Sequence, residues 1–211
     1  MTLPVDPIVL LAFLPAGLAL NLTPGADMLF CIGQGMRRGP RAAWAASGGI
    51  ACGAFVHGLL AGLGLGALVA AHPGLFDVIR WVGVAYLLWL AVTSLRARAP
   101  GPADVAPPRS SARAFRDGFL VNLTNPKVIF FVLAFVPQFV DPSRGQVLAQ
   151  FLTFALMLSL GGFVINGLAG AFSARVGQRM AASDGMSKWL GRISAGIFGA
   201  LALRLALAER A

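Results

Sequence analysis

The chain has 211 residues, of which 57% are hydrophobic and only 12% charged, with a mean hydropathy of +0.77. A soluble domain carries about a quarter charged residues, so this composition excludes one and points to an integral membrane protein. The net charge of +9 comes from cations in the gaps between apolar runs, not from a basic domain with interleaved aromatics, and that excludes a nucleic-acid partner.

Six apolar runs can be marked, at 8–36, 42–71, 75–95, 118–140, 146–172 and 189–208. They are long enough to cross a hydrocarbon core of roughly 30 Å as helices. None alternates apolar and polar residues over about ten positions, as a barrel strand would. The fold class is therefore all-α and membrane-integral, with the lipid bilayer as its surroundings. MTLPVDPIVL has no basic leader and carries Asp6, so it reads as the start of the first membrane helix and not as a signal peptide.

The first run contains NLTPGADMLF at 21–30. Pro24 removes a backbone donor and clashes with the preceding turn, and Gly25 relaxes the distortion, so the helix is expected to break here. Asp27 follows the break. The second run holds three GxxxG spacings (Gly49 and Gly53, Gly58 and Gly62, Gly62 and Gly66), which read as a tightly packed interior helix in preference to a dimer face. His57 lies near its centre, either as a proton-coupling group together with Asp27 or as a helix contact. Trp81, Tyr86 and Trp89 in the third run and Trp189 in the sixth read as anchoring or packing aromatics, and Arg80 and Lys188 as snorkelling cations.

The fourth run repeats the polar motif as NLTNPKVIFF at 122–131, where Pro126 breaks the helix and Lys127 follows. Asn21, Thr23, Asn122 and Asn125 can satisfy backbone groups freed at the two breaks. Broken backbone at membrane depth is tolerated only where protein or a water-filled cavity covers it. Two further echoes keep the same order: Gly48-Gly49 with Gly161-Gly162, and RWVG at 80–83 with KWLG at 188–191. Together they predict two three-helix repeats, residues 1–95 and 118–211, joined by a flexible cytoplasmic linker at 96–117. An odd number of spans per repeat inverts the second copy relative to the first, which brings the two motifs to one level.

Basic residues number 11 in the loops after the first, third and fifth runs and 2 on the opposite face. This bias predicts that those loops are cytoplasmic and that both termini lie outside. Asp27 and Lys127 each cost about 2.5–3.5 kcal/mol at a helix centre. They are either a pair bracing two helices or part of a solvent-accessible site for a small zwitterion or ion. Asn166, in the fifth run, reads first as a helix contact.

NLTPGADMLF, FRDGFLVNLTNPKVIFF with the LAFVPQFV that follows, GGIACGAFVHGLLAGLGL and RWVGVAYLLWLA resemble the LysE/RhtB family of amino-acid exporters, over essentially the whole chain. The resemblance implies a six-helix plasma-membrane (inner-membrane) exporter of amino acids or their derivatives, proton-driven. It also implies that Asn21, Pro24, Gly25, Asp27, Asn122, Pro126 and Lys127 line the site, beside Asn125 from the residue reading. The expected function is a transporter rather than an enzyme, without cofactor or metal, and with room for a homo-oligomer. Two other carrier classes were weighed. A thiol–disulfide electron carrier needs a cysteine beside each break, whereas 118–140 contains none and leaves Cys31 alone. An efflux carrier for a metal ion or drug-like cation meets one carboxylate, a competing Lys127 and few midplane aromatics (Phe30, Phe130 and Phe131).

Overall fold

The computed structural model describes residues 4–71 and 110–173 continuously, with scattered helical positions within 78–95 and 189–206. The elements among the described residues are all helical, without strands. Their helices are α1 (Pro7–Leu22), α2 (Ala26–Arg38), α3 (Pro40–Ala71), α4 (Ser111–Leu123), α5 (Pro126–Phe130) and α6 (Val147–Ala171). Two single helices, Pro40–Gly64 and Val147–Ala171, are long and apolar enough to cross a membrane, and two bent pairs raise the number of candidate spans to four.

α1 starts where the Asp6 side chain accepts from the Ile8 amide at 2.9 Å, with Pro7 in the first turn. It ends at Thr23, whose extended backbone (φ −66°, ψ 117°) is what a following proline favours. Gly25 is also extended, α2 begins at Ala26, and the two helices meet at 52°. The fourth run behaves in the same way. Thr124 and the extended Asn125 end α4, Pro126 opens α5, and the pair bends by 53°. The Asn125 side chain caps the restart by accepting from the Lys127 amide at 3.0 Å. Beyond α5 the winding loosens to a π segment at Phe131–Phe135 and then tightens to a 3-10 segment at Val136–Phe139.

Helix boundaries differ from the sequence reading mainly at α4. It begins at Ser111, not at 118, because the Ser110 hydroxyl caps it by accepting from the Arg113 amide. Residues 111–117, read above as the end of the linker, are therefore helical. Residues 96–109, the loop after α6, RWVG and KWLG as complete motifs, and Arg80, Tyr86 and Lys188 lie outside the described residues.

α3 runs antiparallel to α6. Ser47 Oγ donates to the Phe163 carbonyl at 2.7 Å near one end, and Gly62 packs on Phe151 and Leu148 near the other. Several glycines of α3 face its neighbours within the chain: Gly49 meets the Phe115 backbone of α4, Gly53 meets Asn122, and Gly58 meets Ala155. A methyl group at these positions would collide, so the spacing serves internal packing. At one end of the bundle, Phe13, Phe131, Phe135, Phe139 and Phe154 form an aromatic cluster, with Phe13 and Phe154 4.7 Å apart between centroids. Such ring pairs add about 0.5–1.5 kcal/mol each beyond the area they bury. The same end carries the start of α1 and the turn after α5, joined by Arg144 Nη2 to Asp6 Oδ2 at 3.7 Å. Gly118 of α4 packs against Ala46 of α3, so Arg37, Arg38, Arg41, Arg113 and Arg116 gather toward the opposite end.

Candidate functional site: two helix breaks around a buried carboxylate

Breaking a helix leaves carbonyls without partners on its C-terminal side. At the first break the freed carbonyls are those of α1, and Lys127 from the second motif takes them. Its ammonium donates to the Leu20 carbonyl at 2.8 Å and the Thr23 carbonyl at 2.9 Å. A cation at the negative end of a helix is electrostatically favoured as well as hydrogen-bonded. Gly25 leaves the space this requires, since a Cβ there would stand 3.2 Å from Lys127 Nζ. Thr23 supplies a further bond through its hydroxyl, which donates to the Ala19 carbonyl at 2.6 Å.

At the second break the equivalent threonine does the same. Thr124 Oγ1 donates to the Leu120 carbonyl at 3.0 Å. His57 Nε2 lies 3.2 Å from the Asn122 carbonyl, so His57 reaches the C-terminal end of α4 from α3.

The motif side chains then cross between halves. Asn122 Nδ2 donates to Asp27 Oδ2 at 2.9 Å, and both side chains are buried. Asn21 Nδ2 donates to the Leu158 carbonyl of α6 at 3.2 Å. The contacts are reciprocal. Asn122 lies against Gly53 of α3, and Asn21 lies against Gly161 and Gly162 of α6. Asp27 and Lys127 share no ion-pair contact among the described residues, because Lys127 is engaged by backbone and Asp27 by an amide.

Asp27, Asn122 and Asn21 open onto a cavity of about 20 Å³, which has room for one water-sized group. Ser159, Gly162 and Asn166 of α6 complete its polar side, and Leu20, Ile50, Ala51, Ala54, Val128 and Leu158 its apolar side. Asp27 Oδ1, Asn122 Oδ1 and Ser159 Oγ are buried without a hydrogen-bond partner. Buried polar atoms are nearly always satisfied, so three orphaned oxygens around one cavity make it the candidate site.

The structure thus brings Asn21, Asp27 and Asn122 of the predicted residues together. Pro24, Gly25, Asn125, Pro126, Lys127 and His57 shape the breaks and lie outside the cavity lining. Asn166, read first as a helix contact, lines it. Sequence reasoning missed Ser159, a serine in an apolar run whose only visible hint is its place just before Gly161-Gly162. Cys31 is buried and Cys52 exposed, and both are free. Trp81, Trp89 and Trp189 are exposed.

Apolar helices with two polar breaks meeting at a shared cavity define a multi-pass membrane protein of the transporter class. The sequence pattern of the LysE type translocators matches residues 18–209, and the chain belongs to that family. It is thus a membrane transporter of the LysE/RhtB type. An uncharacterized membrane protein of Vibrio cholerae serotype O1 is 34% identical over 94% of this chain and 97% of its own length. The homoserine/homoserine lactone efflux protein of Salmonella typhi is 35% identical over 81% of each chain. The leucine efflux protein of Enterobacter sp. (strain 638) is 32% identical over 73% of this chain and 75% of its own. No solved structure matches.

Proposed function

We propose that this chain exports amino acids or amino-acid derivatives across the inner membrane, by proton-coupled alternating access around the paired breaks. The observation that carries the reading is the buried Asp27–Asn122 contact between two broken helices, beside a cavity with orphaned oxygens. The names of the relatives support the cargo class. Asp27 binds the cargo's ammonium in one half of the cycle and a proton in the other. Asn21 and Asn122 orient the cargo, and Lys127, Asn125, Pro24, Gly25 and Pro126 hold the breaks open to it. His57 is the second proton-coupling candidate, through the α4 end it contacts.

The equal bends of 52° and 53° and the reciprocal asparagine–glycine contacts favour two inverted repeats. In that arrangement the halves rock about the cavity, exposing it to either face in turn. The basic loops face the cytoplasm. Uptake of labelled amino acids into inverted vesicles, with and without an imposed proton gradient, tests the function. Gradient-driven accumulation of at least one amino acid is expected, and none across a broad panel would sink the reading. Orientation has its own check. Ser143→Cys reacts with an impermeant thiol reagent in intact cells and Ser110→Cys does not, and the reverse pattern overturns the topology.

A further inference from the structure

The orphaned oxygens have a stoichiometry that narrows the cargo. Asp27 Oδ1, Asn122 Oδ1 and Ser159 Oγ are three acceptors without partners, each on a residue more than nine-tenths buried and lining the same cavity. A primary ammonium group carries three N–H donors and is about the size of a water molecule. The cavity, at about 20 Å³, takes a group of that size.

The charge inventory matters equally. Asp27 is the one charged side chain among the described lining residues. The nearby cation, Lys127, is committed to the Leu20 and Thr23 carbonyls and does not line the cavity. The α5 start is capped internally by Asn125, and Gly25 at the α2 start is turned to Lys127. The amides of Asn21 and Asn166 are neutral. A bound zwitterion would match its ammonium to Asp27 and leave its carboxylate without a counter-charge in a low-dielectric site, which is strongly unfavourable. A monocation balances Asp27 and leaves nothing over.

We propose that the three oxygens form a primary-ammonium tripod and that the preferred cargo is an amino-acid derivative whose carboxyl is masked, such as an amide, ester or lactone, over the free amino acid. The inference rests on the reading of this cavity as the cargo site. Ser159 is then a cargo-binding residue.

The test uses the purified full-length protein in detergent. Thermal unfolding is followed with leucine against leucinamide, serine against serinamide, and sodium chloride and ammonium chloride alone. The amides should stabilise at a concentration lower than their parent amino acids by about a hundredfold or more, as an unpaired buried charge predicts. Asp27→Asn should abolish the effect. Ser159→Ala should raise the concentration needed by about threefold to tenfold, with partial rescue by Ser159→Thr, as loss of one hydrogen bond predicts. Competition against labelled amino-acid uptake in vesicles should rank the compounds in the same order. Parent amino acids stabilising as well as their amides overturns the proposal while leaving export intact. Sodium or ammonium matching the amides overturns it in favour of a bare cation site. No stabilisation by any amide overturns it too, whereas amide binding with no transport of any compound overturns only the export reading.

Discussion

The two breaks carry nearly the same sequence and bend by nearly the same angle, yet they are stabilised differently. At each, a threonine hydroxyl bonds back to the carbonyl of the preceding turn, at Ala19 and at Leu120. Beyond that they diverge. The end of α1 holds a lysine ammonium on two carbonyls, whereas the end of α4 has His57 beside one. The helix that follows the first break is regular and stops at Gly39, where a φ of +80° suits glycine. The helix that follows the second passes through π and 3-10 winding before it stops. The first break is locked by a lysine ammonium, and the second is met by the His57 ring and the Thr124 hydroxyl. Two copies of one polar motif thus keep a similar geometry while dividing the chemistry, one contributing the carboxylate and the other the cation that closes its partner's break.

Asp27→Asn gives the largest functional effect expected from that division. Asparagine can still accept from Asn122 Nδ2, so the helices stay joined and stability changes little. The charge that meets the cargo is gone, and uptake into inverted vesicles should fall to background. Retained uptake would move the cargo site away from the breaks. Lys127→Met tests the lock itself. It leaves the Leu20 and Thr23 carbonyls unsatisfied, at about 1–3 kcal/mol for each buried group. The expected outcome is a lower melting temperature in detergent and a poor membrane yield. If Lys127→Met is as stable as the parent but inactive, Lys127 belongs to the cargo site and not to the break.

Most of this framework was legible from residue types. Pro24 and Pro126 in apolar runs predict the breaks, because proline acts locally and needs no tertiary context. The pairing of Asp27 with Asn122 was not legible: the sequence reading set Asp27 with Lys127, as a bracing pair or a shared site, whereas Asp27 accepts from Asn122 and Lys127 donates to the α1 carbonyls. The direction of Lys127 was not legible, because a long flexible side chain beside a break can reach either a carbonyl or a cavity. Ser159 and Gln150 were missed for a related reason. Each is a single polar residue in the apolar run of α6, and helical phase alone does not say which neighbour it meets. Gln150 proves to be a fully buried clamp, accepting from the Asp141 amide and donating to the Asp141 and Gly145 carbonyls, all at 2.8 Å. The π segment was invisible too, since FVLAF carries no helix-breaking residue.

His57→Leu probes the second break. It removes a partner from the Asn122 carbonyl, a loss of about 0.5–1.5 kcal/mol for one ordinary hydrogen bond. The melting temperature should fall less than for Lys127→Met, and His57→Gln, which keeps a donor, should recover part of it. A larger drop for His57→Leu than for Lys127→Met would reverse the ranking of the two breaks.

The smallest effect sharpens the comparison at the far end of the second broken helix, where the irregular winding stops. Asp141 Oδ1 accepts from the Ser143 amide at 2.9 Å and the Ser143 hydroxyl at 2.6 Å. These bonds hold the Asp141 carboxyl below its ordinary range, with the Ser143 side-chain bond the larger cause and Arg144 nearby adding to it. A carboxyl whose folded value is depressed contributes stability that is present above its unfolded value, about 3.9, and is lost as pH falls through the folded one. The parent protein should therefore lose melting temperature on acidification below about pH 4, and Asp141→Asn should lose less over the same window, because it has no charge to protonate. At neutral pH the variant should melt slightly lower than the parent, the group being exposed and its bonds screened. The first broken helix ends at Gly39 with no such carboxylate at its cap, so Gly39→Asn should keep the full acid response. If Asp141→Asn leaves the acid limb unchanged, the turn does not anchor the irregular helix, and the difference between the two halves must be sought in the aromatic cluster around Phe13 and Phe154 instead.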